Sequence, residues 1–367
     1  MIYFVTFAIS ISLFGIGIRC KKLKLRRICL CLSVLILACL AGVRDYTVGT
    51  DIRLYGRYVF EIANSCSSIK EILFGKKMSI ELGYAILAYI TSRFVDTPHA
   101  FFFVVGLINY GLIAKAIYDY RDNISPTMAW TCFLFLYFPD TFNIMRQTLA
   151  LAIFLFGVTY VRNKNYKMSI VILIVSILFH TSAVIGIFVY ALYIYLRKKR
   201  DYSLKRTLEI SFFTLVGIVM LPYMLPVLIK IGVLPAIYSR YLGNYGMGIA
   251  INSFIIRVIP LIIIVIYEKQ FRKSEDFQFL LLMLIIDILV YNLTTVNNTF
   301  ERVSLYFGYF RIYAYSKLVC RATISNQRNR IILGSALVVY CIVIFFYQII
   351  IKGGNQIYPF TSNVLGF

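Results

Sequence analysis

The sequence has few of the groups on which soluble catalysis relies. Among 367 residues there are two histidines, one tryptophan, and 16 acids against 38 lysines and arginines. No Cys-x-x-Cys occurs, and no cysteine clusters with histidine, so neither a disulfide framework nor a zinc site is expected. Six of the eight cysteines (Cys29, Cys31, Cys39, Cys132, Cys320 and Cys341) lie in or beside apolar runs. A G-x-x-x-x-G-K-[ST] loop and an H-E-x-x-H motif are both missing, which removes the P-loop and metalloprotease classes. No cofactor is implied. Low-complexity tracts, an internal repeat and any polar region long enough to fold as a soluble domain are also missing.

What the chain does have is apolar length. It is 60% hydrophobic with a mean hydropathy of +0.80, whereas a soluble domain is about 45–50% apolar. Runs of membrane-spanning length recur, as at 207–229 and 331–351. The reading is an all-α, polytopic integral membrane protein whose residues 1–367 form a single transmembrane domain in the bilayer.

The net charge of +22 would suggest nucleic acid in a soluble protein. Here the positives fall in short blocks between apolar runs: "RCKKLKLRR" (19–27), "RKKRDYSLKR" (197–206), "EKQFRK" (268–273) and "CRATISNQRNR" (320–330). Cytoplasmic loops collect Lys and Arg, so the surplus reports topology, with no nucleic-acid partner. The blocks also suit anionic headgroups. The first apolar run (2–18) has its charges after it, the reverse of a signal peptide, and reads as a retained helix entering from outside.

Counting from these blocks puts both termini outside, with about twelve spans. Two stretches are coupled by parity. Residues 168–196 are 29 apolar positions, long for one helix and short for two, and 82–95 are only modestly apolar and contain Arg93. If 168–196 is a hairpin with His180 at its outer tip, then 82–95 does not fully span. If 82–95 spans, 168–196 is one long helix with His180 near its middle. The hairpin is preferred, because it keeps Arg162, Lys164 and Lys167 cytoplasmic and spares an imidazole from mid-membrane burial. The polar residues then collect outside: 43–80, 137–147, 179–183, 238–246, 294–304 and the tail 352–367.

Seven arginines fall on that face, against the positive-inside rule: Arg44, Arg53, Arg57, Arg146, Arg240, Arg257 and Arg302. A guanidinium fork suits bidentate binding of phosphate or carboxylate, and several together suit a diphosphate. The plainer alternative is pairing with acids such as Asp45, Asp51 and Glu301. Arg146 opens an apolar helix whose N-terminus favours an anion, with Asp140 its candidate ion-pair partner. His180 could accept a proton or hydrogen-bond a substrate. His99, in "DTPHAFFF", reads as a turn residue. Arg302 shares a helix face with Tyr306. Asp287, inside an apolar run, is a functional suspect by default, or a structural partner of Arg257 or Arg311.

"VRDYTVGTDIRLYGRYVF" (43–60), "ELGY" (81–84), "IMRQTLALAIFLFGVTYVRNKNYKMSIVILIVSILFHTSA" (144–183), "ERVSLYF" (301–307) and the tail "YPFTSN" together resemble the EpsG-like, Wzy-type polysaccharide polymerases. The resemblance implies a GT-C-like glycosyltransferase with an outward-facing polar cavity roofed by 43–80, in the bacterial cytoplasmic membrane. It would join undecaprenyl-diphosphate-linked oligosaccharide units for O-antigen, capsule or exopolysaccharide, alongside a flippase and a chain-length regulator. It places the family's polar signature on Arg44, Gly49, Asp51, Tyr55, Arg146, His180, Glu301 and Arg302. His180, Arg146, Asp51 and Glu301 are then the catalytic candidates. Arg44, Asp45, Arg53, Tyr55, Arg57, Arg240, Arg257 and Arg302 are the candidates for holding diphosphate or sugar. The competing readings are a lipid-linked oligosaccharide flippase, which should show two related halves, and an O-antigen ligase.

Overall fold

The computed structural model describes residues 2–74, 80–199, 251–271, 276–295, 298–321 and 323–366, with isolated positions between 209 and 231. The apolar run 207–229 and the segment 238–246, including Arg240, lie almost wholly outside the described residues. Every regular element described is helical. Five segments are long and apolar enough to cross a membrane: Ile2–Arg19, Leu23–Val43, Pro98–Asp119, Thr181–Lys198 and Gln327–Ile351. Five further apolar helices are 10–17 residues long, so among the described residues fewer helices of spanning length are found than the count of about twelve. The chain forms two compact units, residues 1–187 with 315–367, and residues 188–314.

The first unit begins with α1 (Ile2–Arg19) and α2 (Leu23–Val43). A π-helical turn (Ile52–Arg57), α3 (Tyr58–Ser65) and α4 (Ile69–Phe74) follow. Then come α5 (Leu82–Ser92), α6 (Pro98–Asp119), α7 (Pro126–Leu136), α8 (Phe138–Asn143), α9 (Met145–Arg162) and α10 (Tyr166–Phe179). Small residues let helices approach where apolar packing against lipid would give no preference. Gly106 of α6 lies against Ala41 and Ala38 of α2, and Gly42 lies against Phe103. Buried hydroxyls supply the polar glue: Ser10 Oγ donates to Ser33 O at 2.8 Å, and Ser176 Oγ to Ala150 O at 2.7 Å. Helix α9 is buried at nearly every position from Met145 to Val161, which makes it the hub of this unit.

The two ends of this bundle differ. At one end Arg26 Nη1 donates to the Tyr118 hydroxyl at 3.1 Å, and Arg162 Nη2 donates to Asp119 O at 2.8 Å. Lys317 Nζ, on the second stretch of this unit, reaches Tyr120. This is the basic end. At the other end His99, in the first turn of α6 rather than in a turn before it, is hydrogen-bonded through Nδ1 to Gly42 O at 2.8 Å. Four of the polar segments expected to share a face, 43–80, 137–147, 179–183 and 352–367, meet here.

The parity question has a structural answer. Helix α10 stops at Phe179, His180 is extended, and Thr181–Val184 turns before α11 (Ile185–Lys199). Gly186 lies back against Leu173 and Phe154, so the chain reverses at His180 as the hairpin reading requires. Helix α5 has 11 residues, about 16 Å of length against a hydrocarbon core of about 30 Å. It starts beside Leu178 and ends where Arg93 Nη2 donates to Asn64 O at 2.8 Å, both at the non-basic end. At that length it does not cross, and short helices at membrane depth are tolerated where they line a polar space.

The second unit, after the first residues of α11, contains α12 (Ile251–Ile266), α13 (Glu268–Phe271), α14 (Phe277–Asn292) and α15 (Thr299–Gly308). Within it the Tyr193 hydroxyl donates to Asp276 Oδ1 at 2.6 Å.

Candidate functional site

The polar end of the first unit is organised by the return of the C-terminal tail. The Asp45 N–H donates to Thr361 O at 3.0 Å, and Asn363 N–H to Asp45 Oδ1 at 2.8 Å. Gly49 N–H donates to Gln356 O at 2.9 Å. Gly49 has φ +100°, and a methyl added there would run into the carbonyl oxygen of Phe142. Only glycine meets both demands. The Gly49 turn leads to Asp51 and the π-helical turn, a rare geometry that often aims side chains at a site.

That turn presents Tyr55 to Arg146. The Arg146 guanidinium carbon lies 3.7 Å from the Tyr55 ring centroid. Arg146 occupies the second position of α9, where the helix N-terminus already favours negative charge. Its ion-pair partner is Glu81, the residue before α5, and not Asp140. Asp140 instead accepts from Asn355 Nδ2 at 2.9 Å. Glu81 presents its second oxygen, Oε1, to His180 Nε2 at 3.9 Å. The Ser182 N–H donates to His180 Nδ1 at 3.3 Å, with Ser182 Oγ 2.6 Å from the same nitrogen. Because Nδ1 accepts there, the neutral ring carries its proton on Nε2, facing Glu81. As held here, His180 offers a donor to the carboxylate, and its acceptor nitrogen is already engaged.

Arg44 lies just past α2 and is 1% exposed. Among the described residues no carboxylate forms an ion pair with it; it lies over the Phe142 ring at 4.0 Å and beside Phe102 and Met145. Burial lowers its pKa to about 10, opposed by the nearby Tyr110, Tyr3, Tyr84 and Asp51, and it stays charged at neutral pH. A buried cation held mainly by aromatic faces is costly, although each face returns about 2 kcal/mol when desolvated. The Nε and Nη1 of Arg44, the Nε of Arg146 and the Tyr84 hydroxyl are all buried without a hydrogen-bond partner among the described residues. An unpaired buried donor costs about 1–3 kcal/mol, so this end holds donors that would be satisfied by an oxyanion.

Beside it opens a cleft of about 550 Å³ lined by Asp45, Tyr46, Arg53, Arg57, Tyr58 and Glu61. Arg57 Nε pairs with Glu61 at 2.6 Å, both exposed, and stacks on Tyr46. Arg53 Nε donates to Tyr46 O at 3.2 Å. Acids, forked cations and aromatic faces in one cleft are what sugar hydroxyls and rings require.

The chain matches the family model of the EpsG family over residues 27–362. The chain belongs to the EpsG family. Membership supports a polysaccharide polymerase-like role for a multi-pass membrane protein. No curated protein and no solved structure matches the chain.

Within this EpsG-family chain the structure brings Arg44, Asp45, Asp51, Arg53, Tyr55, Arg57, Arg146 and His180 to one end of the first unit. Arg240 lies outside the described residues. Glu301 and Arg302 open α15 in the second unit, exposed, and their assignment rests on the sequence. Arg257 has a structural partner: its Nε is 3.7 Å from Asp287 Oδ2, Arg311 also pairs with Asp287, and Arg257 stacks on Tyr291 at 3.3 Å. Both partners foreseen for Asp287 are therefore used. Sequence reasoning missed Glu81 as a site residue. The signal was present, since Glu81 opens the "ELGY" stretch, but nothing local marks which cation it will meet.

Proposed function

We propose that this protein is a polysaccharide polymerase that joins oligosaccharide repeat units carried on undecaprenyl diphosphate at the outer face of a bacterial cytoplasmic membrane. The observation that carries the reading is Arg146: tethered by Glu81, stacked on Tyr55, at a helix N-terminus, with its Nε unpaired and buried, in an EpsG-family chain. A glycosyl diphosphate already has a good leaving group. Catalysis then consists of holding the donor and acceptor together and stabilising the charge that develops on the departing diphosphate.

In this reading Arg146 and Arg44 bind the diphosphate oxygens, and preorganised cations need no reorganisation as charge grows. The cleft between Asp45 and Glu61 holds a sugar, its acids accepting from hydroxyls and Arg53 donating to ring or glycosidic oxygens. Asp51 is the group that aligns the attacking hydroxyl or takes its proton, and His180, a donor as held, helps orient the carboxylate beside Arg146. The helices enclose the site in a GT-C-like arrangement, with the apolar lipid tail left in the bilayer and the basic blocks on the cytoplasmic side.

Deleting the gene in its native strain and analysing the surface glycan by gel tests the reading. Loss of a polymerase leaves single repeat units on the final carrier. Loss of a flippase leaves none outside, and loss of a ligase leaves long chains on the lipid carrier. Restoration of the ladder by the full-length chain is the expected result.

A further inference from the structure

We infer that Glu81 is a positioning residue of the polymerisation site: one carboxylate oxygen holds Arg146 and the other faces His180, fixing the cation and the imidazole with respect to each other. The inference rests on the proposed polymerase reading and adds a residue that neither the helix pattern nor the arginine count supplied.

The geometry is specific. Glu81 sits in extended backbone immediately before α5 (φ −62°, ψ 136°). Helix α5 is short and both of its ends lie at the polar end, so its first residue is delivered there and not to lipid. Gly83 makes this approach possible, because a side chain there would meet the carbonyl oxygen of Leu178. Leu178 precedes His180 by two residues, so the backbone contact that seats Glu81 is also the one that seats the imidazole. Oε2 then pairs with Arg146 Nη1, and Oε1 lies 3.9 Å from His180 Nε2. Both partners of the pair are 14% exposed at the side chain, enclosed enough for the interaction to be only weakly screened.

Arg146 keeps capacity for a ligand while so held. A guanidinium has five N–H donors in a rigid fork, and Glu81 engages Nη1 while Nε stays buried and unpaired. The Tyr55 ring covers one face at 3.7 Å, which together with Glu81 sets the plane of the fork. The unpaired Nε is thus a donor that an oxyanion could satisfy without replacing the carboxylate. Removing one partner of an enclosed ion pair leaves an uncompensated charge, which favours retention of Glu81 throughout the reaction. On the other side, Ser182 fixes Nδ1 as acceptor, so the Nε2 proton faces Glu81.

The test uses the full-length chain in its native membrane, with glycan polymer read on a gel and divided by the amount of folded protein. Glu81→Gln keeps shape and removes charge. It is expected to lower polymer per molecule at least tenfold, with Glu81→Asp intermediate. In an Arg146→Ala background the same Glu81→Gln change is expected to cost clearly less than it does alone, what remains being the part that acts through His180. The exchange Glu81→Arg with Arg146→Glu should restore abundance without restoring polymer, which keeps the test decisive if Glu81→Gln folds poorly. Normal polymer from Glu81→Gln at normal abundance, a full additional loss in the Arg146→Ala background, or full polymer from the exchanged pair would each overturn the inference while leaving the polymerase reading intact. A polymer ladder that survives deletion of the whole chain would overturn both.

Discussion

Glu81 and Arg146 lie 65 residues apart in the chain and form an ion pair with each side chain 14% exposed. Arg146 opens the most buried helix of the first unit, so its charge had to be matched from elsewhere in the fold. The segment that supplies Glu81 is the short helix α5, whose two ends both lie at the polar end. Several consequences can be measured.

Arg146→Ala should reduce polymer per folded molecule about a hundredfold, on the order of 3 kcal/mol of lost charge stabilisation. Arg146→Lys should recover part of this, since an ammonium keeps the charge and loses the fork. A purely structural arginine would lower membrane abundance instead, with activity per molecule unchanged.

Gly49→Ala is expected to disrupt the loop that carries Asp51 and Tyr55. The residue has φ +100°, a region that costs an L-residue about 1–2 kcal/mol, and the new methyl meets the Phe142 carbonyl. Limited proteolysis from the side of this loop should cut the variant faster than the wild type, and polymer should fall with it. Equal protease resistance and a normal ladder would show that the loop tolerates a Cβ.

Single cysteines in a chain cleared of its own should label by side. Thr50→Cys and Val95→Cys are expected to react with the same membrane-impermeant reagent from outside, and Lys24→Cys only after permeabilisation. Residue 95 follows α5, so labelling from the opposite side to residue 50 would mean that α5 crosses the membrane after all.

Removing residues 355–367 should loosen the polar end. The tail supplies Asn355 to Asp140 and Asn143, the Thr361 carbonyl and the Asn363 N–H to Asp45, and the Ser362 hydroxyl to Val43 O. Ile357 O also accepts from the Tyr3 hydroxyl at 2.7 Å. Each such bond contributes about 0.5–1.5 kcal/mol. Thermal unfolding of the detergent-solubilised protein should move several degrees lower, with loss of polymer in cells. An unchanged midpoint would assign the tail no part in holding the site.

Class and much of the site were legible in the chain itself. Apolar run length and the placement of lysines and arginines are local properties, and they gave a helical membrane protein and the grouping of polar segments at one end. The break at His180 was legible for the same reason: 168–196 is too long for one ordinary span and carries its imidazole in the middle. Arg146 stood out because a cation at the start of an apolar helix needs an anion nearby. Which anion was not legible. Asp140 is six residues away in sequence, but α8 and the change of direction at Ile144 aim it at Asn355 in the tail, while Glu81 arrives from α5. Likewise nothing around Arg44 in the sequence marks it as 1% exposed among Phe102, Phe142 and Met145, since those rings come from two other segments. Run length and charge order are written residue by residue, so the sequence alone determined the membrane class and the breaks between helices. Ion-pair partners and burial depend on distances between segments far apart in the chain, so only the packing of α2, α5, α6, α9 and the returning tail decided that Glu81 would meet Arg146 and that Arg44 would be enclosed.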